Sequence, residues 1–144
     1  MTKAEYGEKA VALFATGLNC SQAVFCAFAG EFGMGEDTAA KVSSGLGGGV
    51  GRMREVCGTV TGATLALGMK YGPDKAAVYP KVQEFVELFR REMGSIVCRE
   101  LLAGTGATTG GAPEARSPAY YRKRPCIELV RFAAETLAGL LGMR

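Results

Sequence analysis

Gly45-Leu46-Gly47-Gly48-Gly49-Val50-Gly51-Arg52-Met53-Arg54-Glu55-Val56-Cys57-Gly58-Thr59-Val60-Thr61-Gly62 is the stretch around which the chain is organised. Five glycines in the seven residues 45–51 do not suit a helix interior, where each costs about 1 kcal/mol relative to alanine. The run is predicted to be a loop with unusual dihedrals or a close backbone approach. It delivers Cys57 to a segment that can be helical through Tyr71. Free amides and the helix dipole at such a start favour negative charge. Arg52 and Arg54 add positive charge, so Cys57 is the cysteine expected to be most activated.

Working outward, the fold class follows from caps and periodicity. Thr2-Lys3-Ala4-Glu5 reads as a capping box. A helix with Tyr6, Ala10, Leu13 and Phe14 on one face follows and stops at Gly17. Asn19-Cys20-Ser21-Gln22 opens a second helix in the same way, ending at Gly33. Asp37 is expected to cap a short helix through Ser44. Gly58, Gly62 and Ala66 line one face of the helix after the glycine loop. Gly72-Pro73-Asp74 breaks the chain. Val78, Val82, Phe85 and Phe89 then form a stripe that ends at Gly94, with Pro80 expected to kink or delay that helix. A short helix over 96–102 is followed by residues 103–119, rich in Gly, Ala, Thr, Pro and Ser, expected to be a flexible loop. Pro125 suits a first helical position, and Ile127, Val130, Ala134, Leu137 and Leu141 form the last stripe. No segment reads as a strand. The expectation is a single all-α domain over residues 1–144, five or six helices packed as a bundle with a glycine-rich loop.

Composition narrows the chemistry. The 144 residues are 48% apolar, enough for a core without disulfide staples. The net charge of +3 is scattered, which argues against a nucleic-acid partner. No apolar run reaches the length of a membrane span. Met1-Thr2-Lys3-Ala4-Glu5 lacks the apolar core of a signal peptide, so the cytoplasm is the expected location. The absence of histidine removes serine–histidine triads and histidine-ligated zinc or haem.

Five cysteines remain: Cys20, Cys26, Cys57, Cys98 and Cys126. Cys20, Cys57, Cys98 and Cys126 each fall at or near a predicted helix start. Arg54, Arg99 and Arg124 stand close to three of them in sequence. A core cysteine gains nothing from that setting, whereas a thiolate gains from both features. Cys26 lies six residues after Cys20, about 240° round the same helix, and reads as packing. No close Cys-x-x-Cys pair exists, which disfavours common zinc modules and the thioredoxin motif. Four converging thiolates suit an iron–sulfur cluster first, with zinc behind it. A dithiol–disulfide pair needs no cofactor. Gly47, Gly48, Gly49, Gly58 and Gly62 would give a cofactor room and backbone amides.

Asn19-Cys20-Ser21-Gln22-Ala23-Val24, the Gly-Leu-Gly-Gly-Gly-Val-Gly-Arg run, Cys57-Gly58-Thr59-Val60-Thr61-Gly62-Ala63 and the single Cys98 and Cys126 together resemble the redox-active bacterial and archaeal C_GCAxxG_C_C family. The resemblance covers nearly the whole chain. It maps the family's four cysteines onto Cys20, Cys57, Cys98 and Cys126, and Thr59 replaces the motif's alanine. A similar four-cysteine domain occurs in split-Soret cytochromes with an iron–sulfur site, which implies a cluster here. Three readings are therefore carried forward. The first is electron transfer through a cluster on the four cysteines. The second is a thiol–disulfide oxidoreductase or redox sensor with Cys57 as nucleophile. The third is a helical module with structural zinc or no metal. A redox partner protein of unknown identity and a possible homodimer complete the expectations.

Overall fold

The computed structural model describes residues 1–144, apart from the side chain of Lys123. Six helices have eight residues or more: α1 (Lys3–Ala15), α2 (Cys20–Ala27), α3 (Glu36–Ser43), α5 (Gly58–Tyr71), α6 (Lys75–Met93) and α9 (Cys126–Leu140). Short segments α4 (Gly47–Val50), α7 (Cys98–Leu101) and α8 (Pro118–Lys123) join them. No strand occurs among the described residues, only an isolated antiparallel bridge between Val56 and Val97. No helix described is long and apolar enough to cross a membrane.

The helix starts follow local chemistry. Thr2 Oγ1 accepts from the Glu5 amide at 3.2 Å. Asn19 and Gln22 form both halves of a capping box, each bond 2.9 Å, satisfying amides that a helix terminus otherwise leaves orphaned. Asp74 caps α6 through the Ala76 amide. Pro80 lies inside α6 and does not end it; that part of the helix is exposed, so a kink there disturbs no core. Asp37 does not act as a cap: α3 starts one residue earlier, and its N-cap is Gly35. Ser117 caps α8 by accepting from the Tyr120 amide; the helix begins within residues 103–119, expected to be loop.

The core is built where α1 lies on α9 and α2 on α5. Phe14, Phe25, Phe28, Leu67, Phe85, Phe89 and Leu137 are fully buried within it. Cys26 is buried in the same cluster. Small residues set the α2–α5 distance. A Cβ at Gly58 would lie 2.5 Å from Cys20 Sγ, and one at Gly62 would lie 2.7 Å from the Ser21 carbonyl oxygen. Both are closer than packed atoms tolerate, so only glycine lets the two backbones approach this far.

The glycine run does take unusual dihedrals. Gly48, Gly49, Val50, Gly51 and Arg52 have φ of 67°, 70°, 66°, 54° and 68°, a left-handed turn. Arg54 also has φ of 60°. For the non-glycine residues this conformation costs roughly 1–2 kcal/mol each. Hydrogen bonds across the turn hold it, Arg54 N to Gly48 O at 3.1 Å and Glu55 N to Gly49 O at 2.9 Å. Beyond it, residues 54–57 run beside 96–99: Cys57 N donates to Ile96 O at 2.8 Å and Cys98 N to Glu55 O at 2.6 Å.

Gly62→Ala is expected to push α2 from α5 and cost about 1–3 kcal/mol, seen as a lower midpoint in urea. Gly68→Ala on the same helix meets nothing within 4 Å and should be neutral or stabilising by up to about 1 kcal/mol.

Candidate functional site

Cys20 is the first residue of α2, Cys57 the N-cap of α5, Cys98 the first residue of α7 and Cys126 the first residue of α9. All four line one cavity of about 60 Å³, a volume sufficient for several water molecules. Residues separated by up to 106 positions in the chain, 126 minus 20, thus face a common space. Cys26 is not among them. All five cysteines are free thiols.

The four sulfurs are not equivalent. The Cys57 thiol stabilises a thiolate at Cys20, and the amides of Gly48, Ser21 and Cys20 itself add to that effect against the cost of burial. Together they lower the Cys20 thiol to about 6. Cys57 is pushed well above the usual thiol range by its role as donor to Cys20, by burial and by the Cys20 charge. Cys20 takes the charge because three backbone amides face it, against the one amide and the hydroxyl that Thr59 offers Cys57. Cys57 Sγ and Thr59 Oγ1 are 3.1 Å apart, so the hydroxyl that departs from the family motif does touch a sulfur. Burial raises Cys98, against the opposing Arg54 guanidinium, and raises Cys126 to about 12.

Arg124 opposes the rise of its sequence neighbour Cys126, but Arg54 and Arg99 do not serve the cysteines beside them in sequence. Arg54 directs Nη1 at Cys98 Sγ, 3.7 Å away, and not at Cys57. Arg99 points outward to an exposed pair with Glu55 at 2.6 Å. Arg52 and Arg124 bind Glu114 Oε1 at 3.0 and 2.6 Å. The Cys57 thiol and the backbone amides lower Cys20, while Cys57 itself is raised. The left-handed turn carries Arg52 and Arg54 away from α5 and towards residues 98 and 114.

The glycines divide by task. Gly48 lines the cavity and supplies an amide to Cys20. Gly49 packs on Cys98, where a Cβ would meet the Cys98 Cβ at 2.7 Å. Gly47 packs on the Asn19 side chain, Gly58 on Cys20 Sγ, and Gly62 on the Ser21 backbone. Gly47, Gly49, Gly58 and Gly62 do not line the cavity; they let the chain close around it.

Residues 103–119 fold back over the site. Arg52 Nε donates to Gly110 O at 2.8 Å and Arg54 Nε to Thr108 O at 2.9 Å. Arg116 donates to the carbonyls of Phe14 and Leu18, and its guanidinium lies 4.0 Å from the Phe14 ring centroid. Glu114, Arg116 and Tyr120 were not singled out in the sequence. The one available signal was that Glu114 is the sole acid in 103–119.

A family model described as "Putative redox-active protein (C_GCAxxG_C_C)" matches residues 18–140. The chain belongs to this family. No curated protein and no solved structure gives a match. The matched span contains all five cysteines, the four that line the cavity among them.

Two outcomes follow from this site. The rate of Cys20 alkylation by iodoacetamide should rise with pH through a midpoint near 6 and then level off. In Cys57→Ala the midpoint should move up, because the S–H donor is gone. The Glu114 carboxyl is held below its ordinary value by Arg52 and Arg124. Its contribution to stability is therefore complete above the unfolded-state value of about 4.3 and lost only as pH falls through the lower folded-state value. Glu114→Gln should speed hydrogen exchange of the Gly110 amide at neutral pH by about tenfold or more.

Proposed function

We propose that this redox-active family member works through the Cys20–Cys57 pair, cycling between dithiol and disulfide. The observation that carries the reading is that Cys20 and Cys57 line one cavity, with Cys20 held as a thiolate by the Cys57 thiol and by backbone amides. A thiolate near neutral pH is the attacking form, and a second thiol beside it resolves the mixed disulfide. Cys20 S⁻ attacks one sulfur of a substrate disulfide, forming a mixed disulfide and releasing one thiolate. The Cys57 sulfur then attacks Cys20, releasing the second substrate sulfur, which takes the Cys57 proton. The substrate disulfide gains two electrons and the protein's dithiol loses them. A protein or small-molecule reductant of the dithiol class returns the pair to its starting state. Cys20, not Cys57, is the nucleophile in this scheme.

A second reading is favoured by the donor set: four cysteines at four helix starts around one cavity. Cys20, Cys57, Cys98 and Cys126 would hold an iron–sulfur cluster, which supplies one-electron transfer when bound. Helix-start amides and Arg54 would stabilise its sulfurs. A single ion such as zinc needs its ligands around one point. Among the described residues, no three Cys, Asp or Glu side chains come that close together.

Protein purified without air and then treated with mild oxidant should lose two thiols, mapped by mass spectrometry to a Cys20–Cys57 link. Cys26→Ser should behave as wild type. Brown protein with iron and acid-labile sulfide, lost in any of the four cysteine variants, would replace this reading with the cluster.

A further inference from the structure

A cleft of about 710 Å³ adjoins the cysteine cavity, and Asn19, Gly48, Arg54, Arg116, Tyr120 and Arg124 line both. Arg52 and Glu114 belong to the cleft alone. Its charge is unbalanced. Arg52, Arg54, Arg116 and Arg124 face it, and Glu114 is the one carboxylate among the described lining residues. All three of Glu114's arginine contacts are made at Oε1. The side chains of Arg52, Arg54 and Arg124 are 13%, 6% and 8% exposed, so water does little to screen them. Arg54 Nη2 is buried and has no hydrogen-bond partner among the described residues. It lies 3.5 Å from Glu114 Oε1, an ion-pair contact without a hydrogen bond. Buried cations with an unused donor call for an anion from outside.

We propose that this cleft binds a small disulfide bearing a carboxylate, its anionic group held by Arg54 with Arg52 and Arg124 and its S–S bond presented to Cys20. The substrate class rests on the dithiol reading above; the anion site does not. The cleft is of the size that small-molecule sites occupy. Arg116, already bonded to the Phe14 and Leu18 carbonyls, fixes the wall. Tyr120 offers a ring face between Arg116 and Arg124. In the reaction the bound disulfide is cleaved to two thiols, and the protein gains the Cys20–Cys57 disulfide.

The test uses two disulfides of like length and opposite charge. In solution a thiolate repels 3,3'-dithiodipropionate and attracts cystamine, so an unassisted thiol prefers the cation. The reduced full-length protein should instead lose thiols about tenfold faster with dithiodipropionate. That preference should collapse in Arg54→Gln and in about 0.5 M salt. Arg52→Gln, at the rim, is the second variant should Arg54→Gln not fold. Suberate, which replaces the S–S bond with two methylenes, should bind by calorimetry and slow the reaction with dithiodipropionate. Equal or faster oxidation by cystamine, with no suberate binding, would overturn the cleft proposal and leave the dithiol reading standing. If suberate binds yet neither disulfide oxidises the pair, the dithiol reading falls and the proposed substrate class falls with it.

Discussion

The close approach of the first turns of α2 and α5 is the constraint on which the rest of the molecule depends. Gly58 and Gly62 remove the two side chains that would hold these helices apart. Cys20 Sγ occupies the space that a Cβ at Gly58 would take, which is why the first cysteine of one helix meets the cap residue of another. A larger residue at either position moves the sulfurs before it disturbs the distant core. The family's Gly-Ala-x-x-Gly spacing therefore reads as a packing device, with glycines one helical turn apart facing the same neighbour.

The second constraint is the left-handed turn over residues 48–52. It reverses the chain within a few residues, lays 54–57 beside 96–99 and so brings Cys98 to the cavity. It also puts Val50, Arg52 and Arg54 into a conformation that glycine alone accepts cheaply. Such strain persists only where surrounding contacts over-determine it, and it gathers at functional sites. Here the determining contacts are the arginines themselves, bound to Gly110, Thr108 and Glu114. The segment 103–119 is thus tied to the site through the residues that the turn displaces.

Much of the architecture was legible because it is local. Thr2, Asn19 and Asp74 cap the helices that follow them, and Phe85, Phe89, Val130, Ala134 and Leu137 are buried as their spacing requires. The helix-start placement of Cys20, Cys57, Cys98 and Cys126 was readable for the same reason. Asp37 misled because an acid in a first turn and an acid at the cap look alike in sequence. The partners of the arginines were not legible. Arg54 precedes Cys57 by three residues yet serves Cys98, since the intervening backbone dihedrals set its direction. Glu114 reaches Arg52 by folding across more than fifty residues, a contact that no local pattern records.

The account therefore comes down to two sulfurs. Paired crystal structures of the reduced and oxidised protein test it most directly. The oxidised form should show Cys20 Sγ bonded to Cys57 Sγ at about 2.05 Å, with Cys98 and Cys126 still thiols beside it. Cys20 and Cys57 found apart in both states, or all four cysteines bound to iron, would contradict it.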